Sequence, residues 1–138
     1  MSSSDGTING RFALFCDYAL MSSDNKLSVI GEFDQINSTN DTPVLHKGFL
    51  VASFDGDSNS KANIDVKLAD PKEENILFKG TFNINFSHTG RANILIEFGS
   101  LPFKKFGIYE AIFTNSGKPI IKTQIKVIRV KEKVAAQA

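Results

Sequence analysis

Asp17, Glu32 and Asp34 are the side chains in this sequence best placed to do chemistry, because all three interrupt apolar runs within residues 15–36. Clustered carboxylates can exchange protons, hold a divalent cation or recognise a basic partner. A polar break at residues 22–26 separates the two runs and marks a hairpin. With Asp24 and Asn25 as a two-residue turn, Ser23 pairs with Lys26 and Asp17 falls directly across from Glu32. Phe15 then faces Asp34, while Cys16 faces Phe33 and Tyr18 faces Gly31 on a mostly apolar side. Like charges placed opposite one another are destabilising, so this register calls for a compensating cation.

The charge distribution indicates where that cation comes from. Residues 1–36 hold five acidic and two basic side chains, residues 37–103 eight and six, and residues 104–138 two and eight. Lys122, Lys126 and Arg129 lie in the basic last stretch. First and last strands of a sandwich commonly run close together, so neutralisation within the molecule is the first expectation and contact with a basic partner the second. Asp17, Glu32, Asp34, Lys122, Lys126 and Arg129 together form the expected interaction face.

Other chemistry is less well supported. His46 and His88 stand in polar stretches without a neighbouring carboxylate or thiol, as solvated residues do. Cys16 is the only cysteine and sits in an apolar run, where a thiol usually packs as a small hydrophobe. A single cysteine forms no internal disulfide, which suggests a reducing, cytoplasmic setting, and the Asn-x-Ser/Thr triplets at Asn37, Asn40 and Asn85 are then incidental. Residues 55–59 read Asp-Gly-Asp-Ser-Asn like the start of a calcium loop. Ser60 and Val66 occupy the positions where that loop needs Gly and Glu, so a plain turn is expected. Phe103 and Phe106 bracket two lysines as in single-strand nucleic-acid platforms, but they lead into a strand whose aromatics belong in a core. No cysteine–histidine spacing fits a zinc site, and no phosphate loop or hydrolase motif is present. No cofactor and no catalytic residue is expected.

The elements that position these residues are strands. Ile64, Val66 and Leu68 alternate with Asp65 and Lys67, and residues 76–86 alternate over a longer span. Further strands are predicted at residues 11–20, 26–37, 47–55, 92–98, 105–114 and 119–130, separated by clusters of Gly, Pro, Asn, Asp and Ser. About eight short strands without a helix predict one antiparallel β-sandwich over residues 11–130. Residues 1–10 are expected to be disordered and residues 131–138 to form a frayed basic tail. No run approaches the ~18 apolar residues of a membrane helix. With 12 Phe, 2 Tyr and no Trp, the aromatic residues suit a packed interior better than a sugar-binding platform.

Gly107-x-Tyr109 matches the penultimate strand of immunoglobulin-like sandwiches, where the tyrosine hydroxyl bonds back to the chain at a corner; Ala111 takes the place of the usual cysteine. Tyr109 and Gly107 are therefore read as structural. The motif Asp17-x-Ala19, a polar turn, then Lys26-Leu27-x-x-x-Gly31-x-Phe33-Asp34 resembles the opening of an uncharacterised family of short bacterial β-sandwich proteins. The pair Gly107-x-Tyr109 is similar to that family's closing motif. The resemblance covers the first quarter of the chain closely, implies the sandwich fold and supplies no activity. The functional expectation is a non-enzymatic binding or assembly module acting through protein partners or self-association, with no role at membranes or on nucleic acid. The alternative is a sandwich that binds a small molecule or carbohydrate.

Overall fold

The computed structural model describes residues 7–131, so the expected disorder of residues 1–6 and fraying of residues 132–138 lie outside the described residues. Eleven strands follow one another: β1 (Asn9–Met21), β2 (Leu27–Phe33), β3 (Gln35–Ser38), β4 (Val44–Leu45), β5 (Gly48–Asp55), β6 (Lys61–Ala69), β7 (Ile76–Asn85), β8 (Arg91–Phe98), β9 (Leu101–Pro102), β10 (Gly107–Asn115) and β11 (Lys118–Arg129). They form a four-stranded sheet ordered β2-β1-β5-β8, a five-stranded sheet ordered β3-β11-β10-β6-β7, and the small pair β4-β9. Among the described residues there is no helix, and none is long and apolar enough to cross a membrane.

The core lies between the two large sheets. Ile64, Val66 and Leu68 of β6 are fully buried, as their alternation requires, and meet Leu50, Ala52 and Phe54 of β5 and Phe113 of β10 in one cluster. Each such side chain removed from water contributes roughly 1.5–3 kcal/mol. β5 differs from β6: every residue from Gly48 to Phe54 is buried. Its sequence is apolar on both faces, the pattern of a strand covered on both sides. Ser53, the one buried polar residue of the described chain, accepts a hydrogen bond from Arg11 Nη1 at 2.7 Å.

The structure corrects the predicted strands in four ways. The expected strand at residues 26–37 is two strands, because the chain leaves one sheet at Asp34 and joins the other. There β3 runs parallel to β11, so the sandwich is not wholly antiparallel. β4 and β9, two residues each, are too short to show a period. β1 also starts at Asn9, inside the segment expected to be disordered.

The penultimate strand is β10, and it carries the tyrosine corner. The buried Tyr109 hydroxyl donates to the Lys105 carbonyl at 2.7 Å and accepts from the Lys105 N–H at 3.2 Å. Gly107 opens the strand at φ 132°, a conformation that side-chain-bearing residues rarely adopt. Ala111 is fully buried at the cysteine position.

Candidate functional site: a hairpin arm

The loop between β1 and β2 has three residues, not two. Asn25 takes a left-handed φ of 64°, its N–H donates to the Ser22 carbonyl, and the Ser22 N–H donates to the Lys26 carbonyl, each at 2.9 Å. A turn followed by one left-handed residue is the usual way to close a three-residue hairpin, and Asn tolerates that position. The Ser22 hydroxyl accepts from the Lys26 N–H and donates to the Asp24 carboxylate, which lowers the Asp24 pKa.

One extra loop residue shifts every pair. Cys16 stands opposite Glu32, Tyr18 opposite Ile30 and Ala19 opposite Val29. Asp17 consequently lies against Gly31, not Glu32, and the expected like-charge pair does not form. Gly31 has φ 72°, and a Cβ there would collide with the Asp17 carboxylate. This is the one place in β2 that only glycine fits.

Beyond this point the hairpin turns back over the sheet. Phe12, Ser53 and Asn93 stand side by side on β1, β5 and β8. Met21 follows Phe12 by nine positions, ~30 Å along a straight strand, yet its Sδ accepts from Asn93 Nδ2 at 3.6 Å. Ala19 and Leu27 pack with Cys16, Phe49, Val51 and Leu95 on the outer side of the four-stranded sheet. The distal halves of β1 and β2 thus form an arm that covers β5 from outside and explains its two-sided burial. Asn93 Oδ1 is trapped beneath it without a hydrogen-bond partner.

The arm's other surfaces remain open. Tyr18, Met21, Val29 and Ile30 are exposed, leaving only Ile76 and Ile108 among the large exposed apolar side chains of the described residues. Ile30 is 59% exposed. Asp17, Glu32 and Asp34 are exposed around them.

The six residues expected on one interaction face are not brought together. Lys122 and Lys126 alternate with the buried Ile125 and Val127 and so point outward from the five-stranded sheet, where Lys122 is 3.9 Å from Glu110. Arg129 pairs with Asp41 and covers the Phe106 ring at 5.0 Å. Asp34 touches the last strand only through its backbone, which accepts from the Lys126 N–H. Among the described residues no ion pair includes Asp17, Glu32 or Asp34, and the expected neutralisation by the last strand does not form: Lys122 and Arg129 pair elsewhere and Lys126 makes no ion pair. Sequence reasoning identified the hairpin and its carboxylates but missed the arm's fold-back. The signal for it was the unbroken apolar run of β5.

The remaining candidates resolve locally. Asp55 is held by Arg91 at 2.8 Å, and the 55–59 turn is tied to the next loop by the Gly56 N–H on the Gly90 carbonyl. Phe103 is buried against Tyr109, with ring centroids 5.0 Å apart, so it offers no stacking surface. His46 and His88 are exposed and flank opposite ends of β5, separated by roughly the ~23 Å that its residues span. Burial pushes the Cys16 thiol up, and the negative charges of Asp17 and Glu32 add to that shift. A cleft of about 440 Å³ at one end of the sandwich is lined mainly by polar residues, among them Asp57, Lys61, Asn63 and Thr81. Among the described residues no three His, Cys, Asp or Glu side chains converge on a possible metal position, and Tyr18 is the sole aromatic of the exposed apolar set.

Two facing sheets, a parallel β3–β11 pair and a tyrosine corner on the penultimate strand define an immunoglobulin-like β-sandwich. Residues 11–128 match the model of a family of unknown function, DUF6941, and the chain belongs to that family. No curated protein matches it. Among solved structures, a β-glucosidase from Listeria innocua is similar at a TM-score of 0.49 and 8% identity, over 89% of this chain and 16% of that one. An immunoglobulin-like protein from Pseudomonas aeruginosa is similar at a TM-score of 0.44 and 9% identity, over 88% of this chain and 96% of that one. The chain therefore spans about a sixth of the glucosidase.

Proposed function

We propose that this chain is a non-enzymatic binding or assembly module that acts through protein–protein contacts made by the β1–β2 arm, in a reducing, cytoplasmic setting. The observation that carries the reading is the concentration of exposed apolar side chains, Tyr18, Met21, Val29 and Ile30, on one hairpin. Tyr18 and Ile30 pair on one face of the arm, with Val29 and Met21 on the other; apolar side chains concentrated on one exposed element and rimmed by charge are a usual mark of a protein contact. Asp17, Glu32 and Asp34 supply that rim and would favour a partner with basic groups around an apolar centre. The single, buried Cys16 suits a compartment where thiols stay reduced.

The test compares immobilised wild type with the Tyr18→Ala/Ile30→Ala variant in extract from the cells that express it. Wild type should retain protein, either its own chain or another, that the variant loses while its circular dichroism is unchanged. Equal retention by the two would overturn the reading.

A further inference from the structure

We infer that β2 is a self-pairing edge, through which two copies of this chain join antiparallel about a two-fold axis at Ile30. The inference rests on the arm being a protein-contact element and names its partner as a second copy.

β2 is the terminal strand of its sheet, so one side of its backbone has no strand partner among the described residues. Natural edges are usually blocked by proline, lysine or short length. Leu27–Phe33 contains neither residue and is seven residues long. Of the other edge strands, β3 is short and polar, β7 carries Lys79 at its middle, and β8, which also lacks proline and lysine, carries Arg91 and Glu97 near its ends and buries most of its apolar side chains.

The hairpin settles which groups face outward. The Ser22 N–H donates to the Lys26 carbonyl. Antiparallel ladders alternate hydrogen-bonded and open pairs, so Lys26, Ser28, Ile30 and Glu32 direct their backbone groups at β1. Leu27, Val29, Gly31 and Phe33 direct theirs at the free side. A copy approaching that side must set these odd-numbered residues against one another.

The strand's own sequence then selects the register. A two-fold at Ile30 sets Val29 against Gly31, Leu27 against Phe33 and Ile30 against its own copy. It also sets Lys26 against Asp34, each one residue past an end of β2, twice by symmetry, with Lys26 exchanging its present partner Asp24 for Asp34. Moving the axis to Val29 keeps a cation–carboxylate pair, Lys26 against Glu32, but puts Ser28 against the exposed Ile30 and Asp24 against Asp34. Moving it to Gly31 puts Glu32 against Ile30 and leaves Lys26 beyond the end of the partner strand. Only the axis at Ile30 matches apolar with apolar and cation with carboxylate. It also hides Ile30, the most exposed large apolar side chain of the described residues.

Sedimentation equilibrium from micromolar to millimolar protein tests this. Wild type should be a monomer–dimer system. Lys26→Glu and Asp34→Lys should each weaken the dimer about fivefold, because the symmetry breaks two exposed pairs at once. The double variant Lys26→Glu/Asp34→Lys should restore it. Val29→Pro should abolish the dimer and keep the fold, since the lost N–H points to the free side, where an edge strand tolerates proline. Circular dichroism and a urea melt confirm that each variant is folded. A monomeric wild type throughout the range would overturn the inference, as would a dimer indifferent to Val29→Pro or double-swap variants no tighter than the singles. In those cases the retention experiment with Tyr18→Ala/Ile30→Ala still decides separately whether the arm binds some other protein.

Discussion

Tyr109 and Cys16 illustrate how much a single buried group can be asked to do. The Tyr109 hydroxyl both donates to and accepts from Lys105, tying the start of β10 to the loop before it. Tyr109→Phe keeps the ring packed on Phe103 and removes only the hydroxyl. The urea midpoint should fall by an amount equivalent to about 1 kcal/mol, because Lys105 is exposed and water replaces the lost partner. An unchanged midpoint would remove the corner's structural role. Cys16 is fully buried and its thiol holds its proton to higher pH than a free one. In the unfolded chain the same thiol ionises at about 8.5, so above that pH the unfolded state binds fewer protons and stability declines. Its contribution is fully present below that value and is lost as pH rises through the native pKa. Cys16→Ala should flatten the loss of stability between neutral and strongly alkaline pH, and a disulfide-exchange reagent should label native Cys16 only as fast as the protein opens. Rapid labelling at neutral pH would show the arm to be open.

The arm is held to β5 and β8 by Ala19, Met21 and Leu27 but traps Asn93 Oδ1 without a partner. An unpaired buried acceptor costs about 1–3 kcal/mol, which opposes closure of the arm. Asn93→Leu should therefore stabilise the protein by about 1 kcal/mol and slow amide exchange in the arm. Exchange measured residue by residue should find β5 amides slowest and those of residues 18–21 and 27–33 far faster, since β5 is buried on both faces and the arm has two strands only. Equal protection in arm and β5 would contradict the fold-back. Gly31→Ala places a Cβ on the Asp17 carboxylate at a left-handed φ. It should cost at least about 1–2 kcal/mol by conformation alone and distort the bend.

For the whole molecule, the charges of the arm are expected to affect association more than stability. None of Asp17, Glu32 and Asp34 has an ion-pair partner among the described residues, while Lys122 and Arg129 pair with Glu110 and Asp41. Replacing the three carboxylates by Asn or Gln should leave the urea midpoint within about 0.5 kcal/mol of wild type, as surface changes usually do. Self-association should weaken in that variant and lose its sensitivity to salt, because screening acts on exposed charge. A clear loss of stability would mean that the carboxylates are neutralised inside the molecule after all.

Local chemistry made much of this molecule legible from its residues. The alternation of Ile64, Val66 and Leu68 placed β6 with one buried face, because side chains in a strand point alternately to either side. Gly107-x-Tyr109 marked the penultimate strand, because a positive φ and a buried hydroxyl with a nearby acceptor are local demands. The carboxylates of the hairpin were equally visible, but their arrangement depended on a single loop residue. Asn25 could have been half of a two-residue turn or the left-handed closure of a three-residue one. With a side-chain period of two, that choice moves every side chain of β2 to the other face. The break at Asp34, the parallel seat of β3 beside β11 and the return of the arm over β5 were decided by packing between segments far apart in the chain. Composition and periodicity record which face of a strand is apolar; what covers that face is settled only when the distant segments meet.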